Sequence, residues 1–199
     1  ASYKALNQYD WYSLLVVIDE IKEVFIRQIK EPSEEEKLKK QLPILKEIDD
    51  SISSEVRAQY EESPYPRWVN LGLPLKPLSI LNVVDEIKLK LQDYKITAVE
   101  QPKVLIAGCG TGQHSIETAA RFKDSNVLAV DLSLSSLAYA KRRTEELRIE
   151  NIEYMQADIL DLGLLKKQFD IIESAGVLHH MNTPMAGWKV LTDCLKPGG

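Results

Sequence analysis

Four short apolar runs, each followed by a helical segment, fill the chain from residue 100 onward and leave few folds open to it. The runs cover residues 103–107, 127–131, 152–156 and 169–173. Helical patterns cover 113–122, 134–148 and about 160–167 between them, with 185–195 after the fourth run. Such apolar strands need cover on both faces, and their alternation with helices gives a parallel sheet. Right-handed crossovers then make an α/β doubly wound fold, which binds ligands beyond the carboxyl ends of its strands.

Upstream of residue 100 the texture is helical. Leu14, Val17, Ile18, Ile21, Val24, Phe25 and Ile29 recur at helical spacing. Pro32-Ser33 is expected to break that helix, with Ser33 capping the next one and Glu36 completing a capping box. The charge run 34–40 reads as a solvated helix face. A further helix is expected over 51–62, ended by Ser63-Pro64. A stretch containing Pro64, Pro66, Pro74 and Pro77 follows, and a last helix is expected over 79–93. This divides the chain into a helical extension with a Pro-rich linker, 1–78, and an α/β core, 79–199.

Composition narrows the function classes. A net charge of −5 argues against a broad nucleic-acid-binding surface. No apolar run approaches a membrane span. The two cysteines, Cys109 and Cys194, are too few for a disulfide scaffold or a cysteine-based zinc site, so a cytoplasmic setting without a metal is expected. The chain begins with Ala1, and its last residues, Lys196-Pro197-Gly198-Gly199, form a turn signal with nothing after it. Both features read as the ends of a fragment.

The chemistry sits at the ends of the strands. The first run closes in Gly108-Cys109-Gly110-Thr111-Gly112. Glycines let a backbone turn sharply and approach a ligand, and the helix that follows offers free N–H donors. Asp131 closes the second run, where an acid can accept from both hydroxyls of a ribose. Asp158 follows the third, where a carboxylate can accept from the amine of an adenine, or simply cap the next helix. The dinucleotide pattern fails, because its third glycine position holds Gln113 or Ser115, and no Lys-Ser or Lys-Thr of a phosphate loop follows. The loop suits a nucleoside whose amino-acid tail lies along it.

Residues 104–112, Val104-Leu105-Ile106-Ala107-Gly108-Cys109-Gly110-Thr111-Gly112, resemble the first motif of class I S-adenosylmethionine-dependent methyltransferases. Ala129-Val130-Asp131-Leu132-Ser133 resembles the second motif, and Gln156-Ala157-Asp158-Ile159 the adenine motif. Residues 169–180 resemble the fourth-strand motif, and Leu195-Lys196-Pro197-Gly198-Gly199 the turn before the fifth strand. Upstream, Gln59-Tyr60-Glu61-Glu62-Ser63-Pro64-Tyr65-Pro66-Arg67-Trp68 looks like a segment of bacterial methyltransferases that also carry tetratricopeptide repeats; no such repeat is visible here.

The resemblance implies a Rossmann-like methyltransferase sheet, here incomplete, with S-adenosylmethionine as cofactor. Gly108, Gly110 and Gly112 would pass under its methionine part. Asp131 would hold the ribose, with Leu132 on the adenine. Asp158 would take the adenine amine, with Ile159 beside the ring, and Glu173 would lie near the transferring methyl. A methyl group would pass by direct displacement to a small-molecule or protein acceptor. His179 or His180 is the candidate base if that acceptor must lose a proton, against packing or capping roles for both. His114 reads as a loop contact, and Cys109 lacks the setting of a nucleophile. Tyr65, Arg67 and Trp68 read equally as a substrate lid or as a linker anchored by Trp68. A homodimer through the N-terminal helices or an exposed sheet edge is one expected way to cover an incomplete sheet. The other function class is a non-catalytic S-adenosylmethionine-binding or protein-interaction module.

Overall fold

A computed structural model describes residues 5–199. Ala1, read above as one sign of a fragment, lies outside the described residues. The four expected strands form one parallel sheet: β1 (Lys103–Ala107), β2 (Asn126–Asp131), β3 (Ile152–Gln156) and β4 (Ile171–Glu173), in the order β3-β2-β1-β4. β1 is central, and Val104, Leu105, Ile106 and Ala107 are wholly buried.

Alternate residues of β1 and β2 feed two cores. Val104, Ile106, Val127 and Ala129 pack with Ala119, Leu137, Ala138 and Ala140 of α5 (Gln113–Arg121) and α6 (Leu134–Glu146). Leu105, Ala107, Leu128 and Val130 face the other way. They pack with Ile159 and Leu162 of a 3-10 segment (Ile159–Leu165) and Leu191 of α7 (Pro184–Asp193). The order of strands reverses between β1 and β4, so the crevice for a ligand opens above those two carboxyl ends. The sheet is the doubly wound α/β arrangement expected from the strand–helix alternation.

The extension departs from its expected pattern. The stretch expected to be helical from Leu14 holds 3-10 turns at Asp10–Leu14 and Asp19–Ile21 instead. Leu14, Val16, Val17 and Ile18 are exposed there, so no core rewards a continuous helix. α1 (Lys22–Phe25) then runs through a π turn (Ile26–Lys30) into α2 (Glu31–Lys39) without the break expected at Pro32. Pro32 sits in the first turn of α2, where its missing N–H costs little and the π turn gives its ring room. Ser33 therefore does not cap; its hydroxyl donates back to the Ile29 carbonyl at 2.7 Å.

α3 (Ser51–Glu62) forms as expected and is capped by Asp50. α4 (Ile80–Glu86) starts on the Ser79 cap but stops short of residue 93. The chain turns at Lys88, with φ +55°, and brings Leu91, Ile96 and Val99 back onto Ile80, Val83 and Val84. The fourth strand also starts later than expected, because Phe169 bridges to Leu195 and leaves Ile171–Glu173 to pair with β1.

The extension also covers the outer edge of β3. Leu45 N–H donates to the Gln156 carbonyl and Gln156 N–H to the Pro43 carbonyl, each at 2.9 Å. These bonds extend the sheet beyond β3 by one bridge. Buried charges fasten α2 to α6: Glu35 accepts from Arg142 Nε at 3.0 Å and from Arg67 at 2.9 Å. Arg142 lies 3.2 Å from Glu31 as well.

Candidate functional site

A cavity of about 600 Å³ opens at the carboxyl ends of the strands. That is the size range of small-molecule sites. Gly108 and Gly110 line it from the glycine loop, Asp131 and Leu132 from the end of β2, and Asp158 and Ile159 from the end of β3. Ala175, Gly176 and His180 line it from the stretch after β4. Three successive strand ends thus bring the expected nucleoside residues to one space.

The loop needs its glycines for different reasons. All three have positive φ, +80° at Gly108, +53° at Gly110 and +87° at Gly112. A Cβ on Gly108 would lie 2.2 Å from Val177 Cγ2, and one on Gly112 would lie 2.5 Å from Ala140 Cβ. A Cβ on Gly110 would meet nothing within 4 Å. Gly108 and Gly112 are therefore packing glycines, and Gly110 is the one that leaves open space above the loop. Gly112 itself does not line the cavity; it is the left-handed residue that starts α5.

Asp131 is held from two sides. Its Oδ2 accepts from Gly110 N–H at 2.8 Å and its Oδ1 from Ser133 N–H at 3.0 Å. Burial raises its carboxyl above the ordinary range, and these backbone donors offset part of that. Each oxygen has a lone pair left for a hydroxyl from the cavity. Asp158 is buried; it caps the following 3-10 segment, accepting from Leu160 N–H at 2.9 Å, and it also lines the cavity. Its second oxygen accepts no hydrogen bond among the described residues.

Glu173 does not line the cavity. Its Oε2 accepts from Thr118 Oγ1 at 2.6 Å and lies 2.8 Å from His114 Nε2. Burial opposes its charge, but these two partners outweigh it and bring the carboxyl below the ordinary range. The same contact raises His114. His114 does line the cavity, so the histidine read as a loop contact is also a wall residue. The His179 and His180 rings lie 4.0 Å apart between centroids and tilted by 39°, and of the two His180 reaches the cavity wall. Cys109 is buried, and desolvation raises its thiol well above the ordinary range, so it stays protonated.

The two readings of the 65–68 segment separate by residue. Trp68 is a core anchor: it is buried, and its Nε1 donates to the Thr111 carbonyl at 3.0 Å. Thr111 Oγ1 donates to the Pro66 carbonyl at 2.6 Å. Arg67 is engaged by Glu35. Tyr65 remains exposed and lines the cavity. Sequence reasoning missed the wall that α3 supplies through Ile52, Val56 and Tyr60. It also missed Glu61, which accepts from Ser133 Oγ and Ser135 N–H at 3.0 Å each. The spacing of Ile52, Val56 and Tyr60 at four residues was the available signal for one helix face.

Comparison with known proteins bears on the same residues. Residues 104–199 match a family model described as a methyltransferase domain. An uncharacterised protein of Synechococcus sp. is 35% identical over 100 residues, 50% of this chain and 24% of that protein. A ubiquinone biosynthesis O-methyltransferase of Acinetobacter baumannii is 27% identical over 134 residues, 67% of this chain and 54% of that enzyme. The chain thus spans about half, or less, of these relatives' length. Among solved structures, magnesium protoporphyrin IX methyltransferase from Synechocystis, with bound S-adenosylmethionine, superposes with a TM-score of 0.53 at 22% identity. That match covers 76% of this chain and 75% of that one, and it speaks to the fold.

Proposed function

We propose that this chain, whose residues 104–199 match a methyltransferase-domain family, is a class I S-adenosylmethionine-dependent methyltransferase that transfers a methyl group by direct displacement to a small-molecule or protein acceptor. The observation that carries the reading is the convergence of Asp131, Asp158 and the open face of Gly110 on one cavity. The chemistry of these groups fits the cofactor. A half-buried and a buried carboxylate with free lone pairs suit a nucleoside's hydroxyls and amine, and a glycine with open space above it suits a close-lying tail.

S-adenosylmethionine supplies a methyl group already activated as a sulfonium. The protein's work is then mainly alignment and exclusion of water. Asp131 would hold the ribose and Asp158 the adenine amine, with Leu132 and Ile159 beside the ring. Gly108, Gly110 and Gly112 shape the loop beneath the tail. Glu173, through its contacts to Thr118 and His114, would brace the crevice between β4 and α5 and hold the wall residue His114 in place. If the acceptor must lose a proton, His180 is the member of the His179–His180 pair that reaches the cavity to take it. Within the extension, 1–78, the described residues 5–78 serve as an arm clamped on the core, 79–199. The same proposal includes a cytoplasmic setting and a homodimer through the N-terminal helices or the outer edge of β4, which light scattering would detect.

Calorimetric titration with S-adenosylmethionine, S-adenosylhomocysteine and NAD tests the reading. Binding of the first two without NAD supports it. Binding of NAD alone, or of none by a folded chain, overturns it.

A further inference from the structure

The extension reaches the cofactor loops at two points. Pro66 and Trp68 hold Thr111 of the glycine loop. Glu61, at the end of α3, sits on the first turn of α6. Its Oε2 accepts from Ser133 Oγ and Ser135 N–H at 3.0 Å each, and its Oε1 accepts from Ser135 Oγ at 2.9 Å. Its own carbonyl accepts from Ser135 Oγ at 2.8 Å. Ser133 is fully buried and is the hub of this arrangement. Its N–H donates to Asp131 Oδ1, its hydroxyl donates to Glu61, and that same hydroxyl accepts from Ser136 N–H at 3.1 Å.

A carboxylate at a helix N-terminus is ordinarily a local device, supplied by the cap residue itself. Here the cap, Ser133, already serves Ser136. The extra carboxylate comes from a segment 72 residues away in sequence. Its oxygens fix the residue whose N–H fixes Asp131. Two hydrogen-bonded steps therefore join the extension to the acid that would face a ribose; among the described residues, Lys39 of α2 is paired with Glu61 at 3.4 Å.

We propose that Glu61 is a positioning residue for cofactor binding, acting through Ser133 to hold Asp131 in the orientation that accepts ribose hydroxyls. This rests on the nucleoside reading of the cavity. The contact is not merely a weld between extension and core, because Glu35 through Arg142 and Trp68 through Thr111 already supply that. Loss of Glu61 thus falls on the ribose end of the ligand.

The test compares two ligands by calorimetry on the full chain: S-adenosylhomocysteine and its 2′,3′-dideoxy analogue. Glu61→Gln keeps the size of the side chain but loses the charge and one acceptor oxygen. The expected result is about tenfold weaker binding of S-adenosylhomocysteine, the worth of a charge-assisted hydrogen bond. The dideoxy analogue, with no hydroxyls for Asp131, should change less than about twofold. Ser133→Ala removes the hydroxyl that Glu61 holds and keeps the N–H to Asp131, so it should show the same selectivity. It also serves if Glu61→Gln fails to fold. Equal losses for both ligands would make Glu61 a purely structural residue and overturn the inference, as would unchanged affinity in both variants. A wild-type chain that binds neither ligand would overturn the cofactor reading itself, and this inference with it.

Discussion

His114 Nε2 lies 2.8 Å from Glu173 Oε2, and this contact ties the start of α5 to the end of β4 across the crevice. Glu117 and Arg121, both on α5, flank the pair with opposite effects on the imidazole. The contact with Glu173 raises His114 above 6.5, so its stabilisation is complete below that value and fades as pH rises through the folded value. Glu173 is lowered below 4.5, so its stabilisation is present above that value and fades as pH falls through the folded one. Glu173→Gln should therefore lower Tm most between pH 4.5 and 6.5. The size expected there is about 2–4 °C, and the deficit should shrink as pH rises through the raised folded value of His114 and the imidazole loses its charge. Thermal melts of both proteins across this range check it.

The glycine loop should divide stability from binding. Gly110→Ala has open space for its Cβ and only a left-handed backbone to strain, a cost of about 1–2 kcal/mol. The same methyl would stand over the loop in the cavity, so cofactor affinity should fall at least about tenfold. Gly112→Ala would press on Ala140 Cβ and backbone, and its effect should appear mainly as lost stability. Urea melts beside S-adenosylhomocysteine titrations separate the two.

Trp68 is the linker's anchor. Besides its bond to Thr111, it meets Tyr139 edge-on at 5.9 Å and packs in a cluster with Ile116. Trp68→Ala should cost about 3–5 kcal/mol, and Trp68→Phe less, because it keeps most of the packing and loses the indole donor. Chemical denaturation gives both values.

Glu35 is buried between Arg67 and Arg142. Removing it leaves Arg142 short of one partner in a buried setting. Glu35→Ala should therefore cost about 3–5 kcal/mol, more than an exposed pair such as Lys189–Asp193 could. It should also expose the segment between α2 and α3 to limited proteolysis.

The α/β half was legible because its signals are local. Residues 104–107 are apolar on both faces, which only a covered central strand allows, and the glycine loop and Asp131 sit at strand ends by chain order alone. The extension was less legible because its order comes from distant partners. Pro32 was expected to end a helix, yet a π turn absorbs it. Residues 43–45 carry no strand pattern and pair with β3 through Gln156. In the site, Asp131 and Asp158 could be placed from sequence, but Glu61 could not. Its role depends on α3 lying against the first turn of α6, and no spacing rule joins residue 61 to residue 133.

The most direct test of the nucleoside site is calorimetric titration of Asp131→Ala and Asp158→Ala with S-adenosylhomocysteine, beside the wild-type chain. The account predicts measurable binding by the wild type and about a hundredfold loss in Asp131→Ala, with a smaller loss in Asp158→Ala because adenine keeps its contacts with Leu132 and Ile159. Folded variants that bind as tightly as the wild type would contradict it.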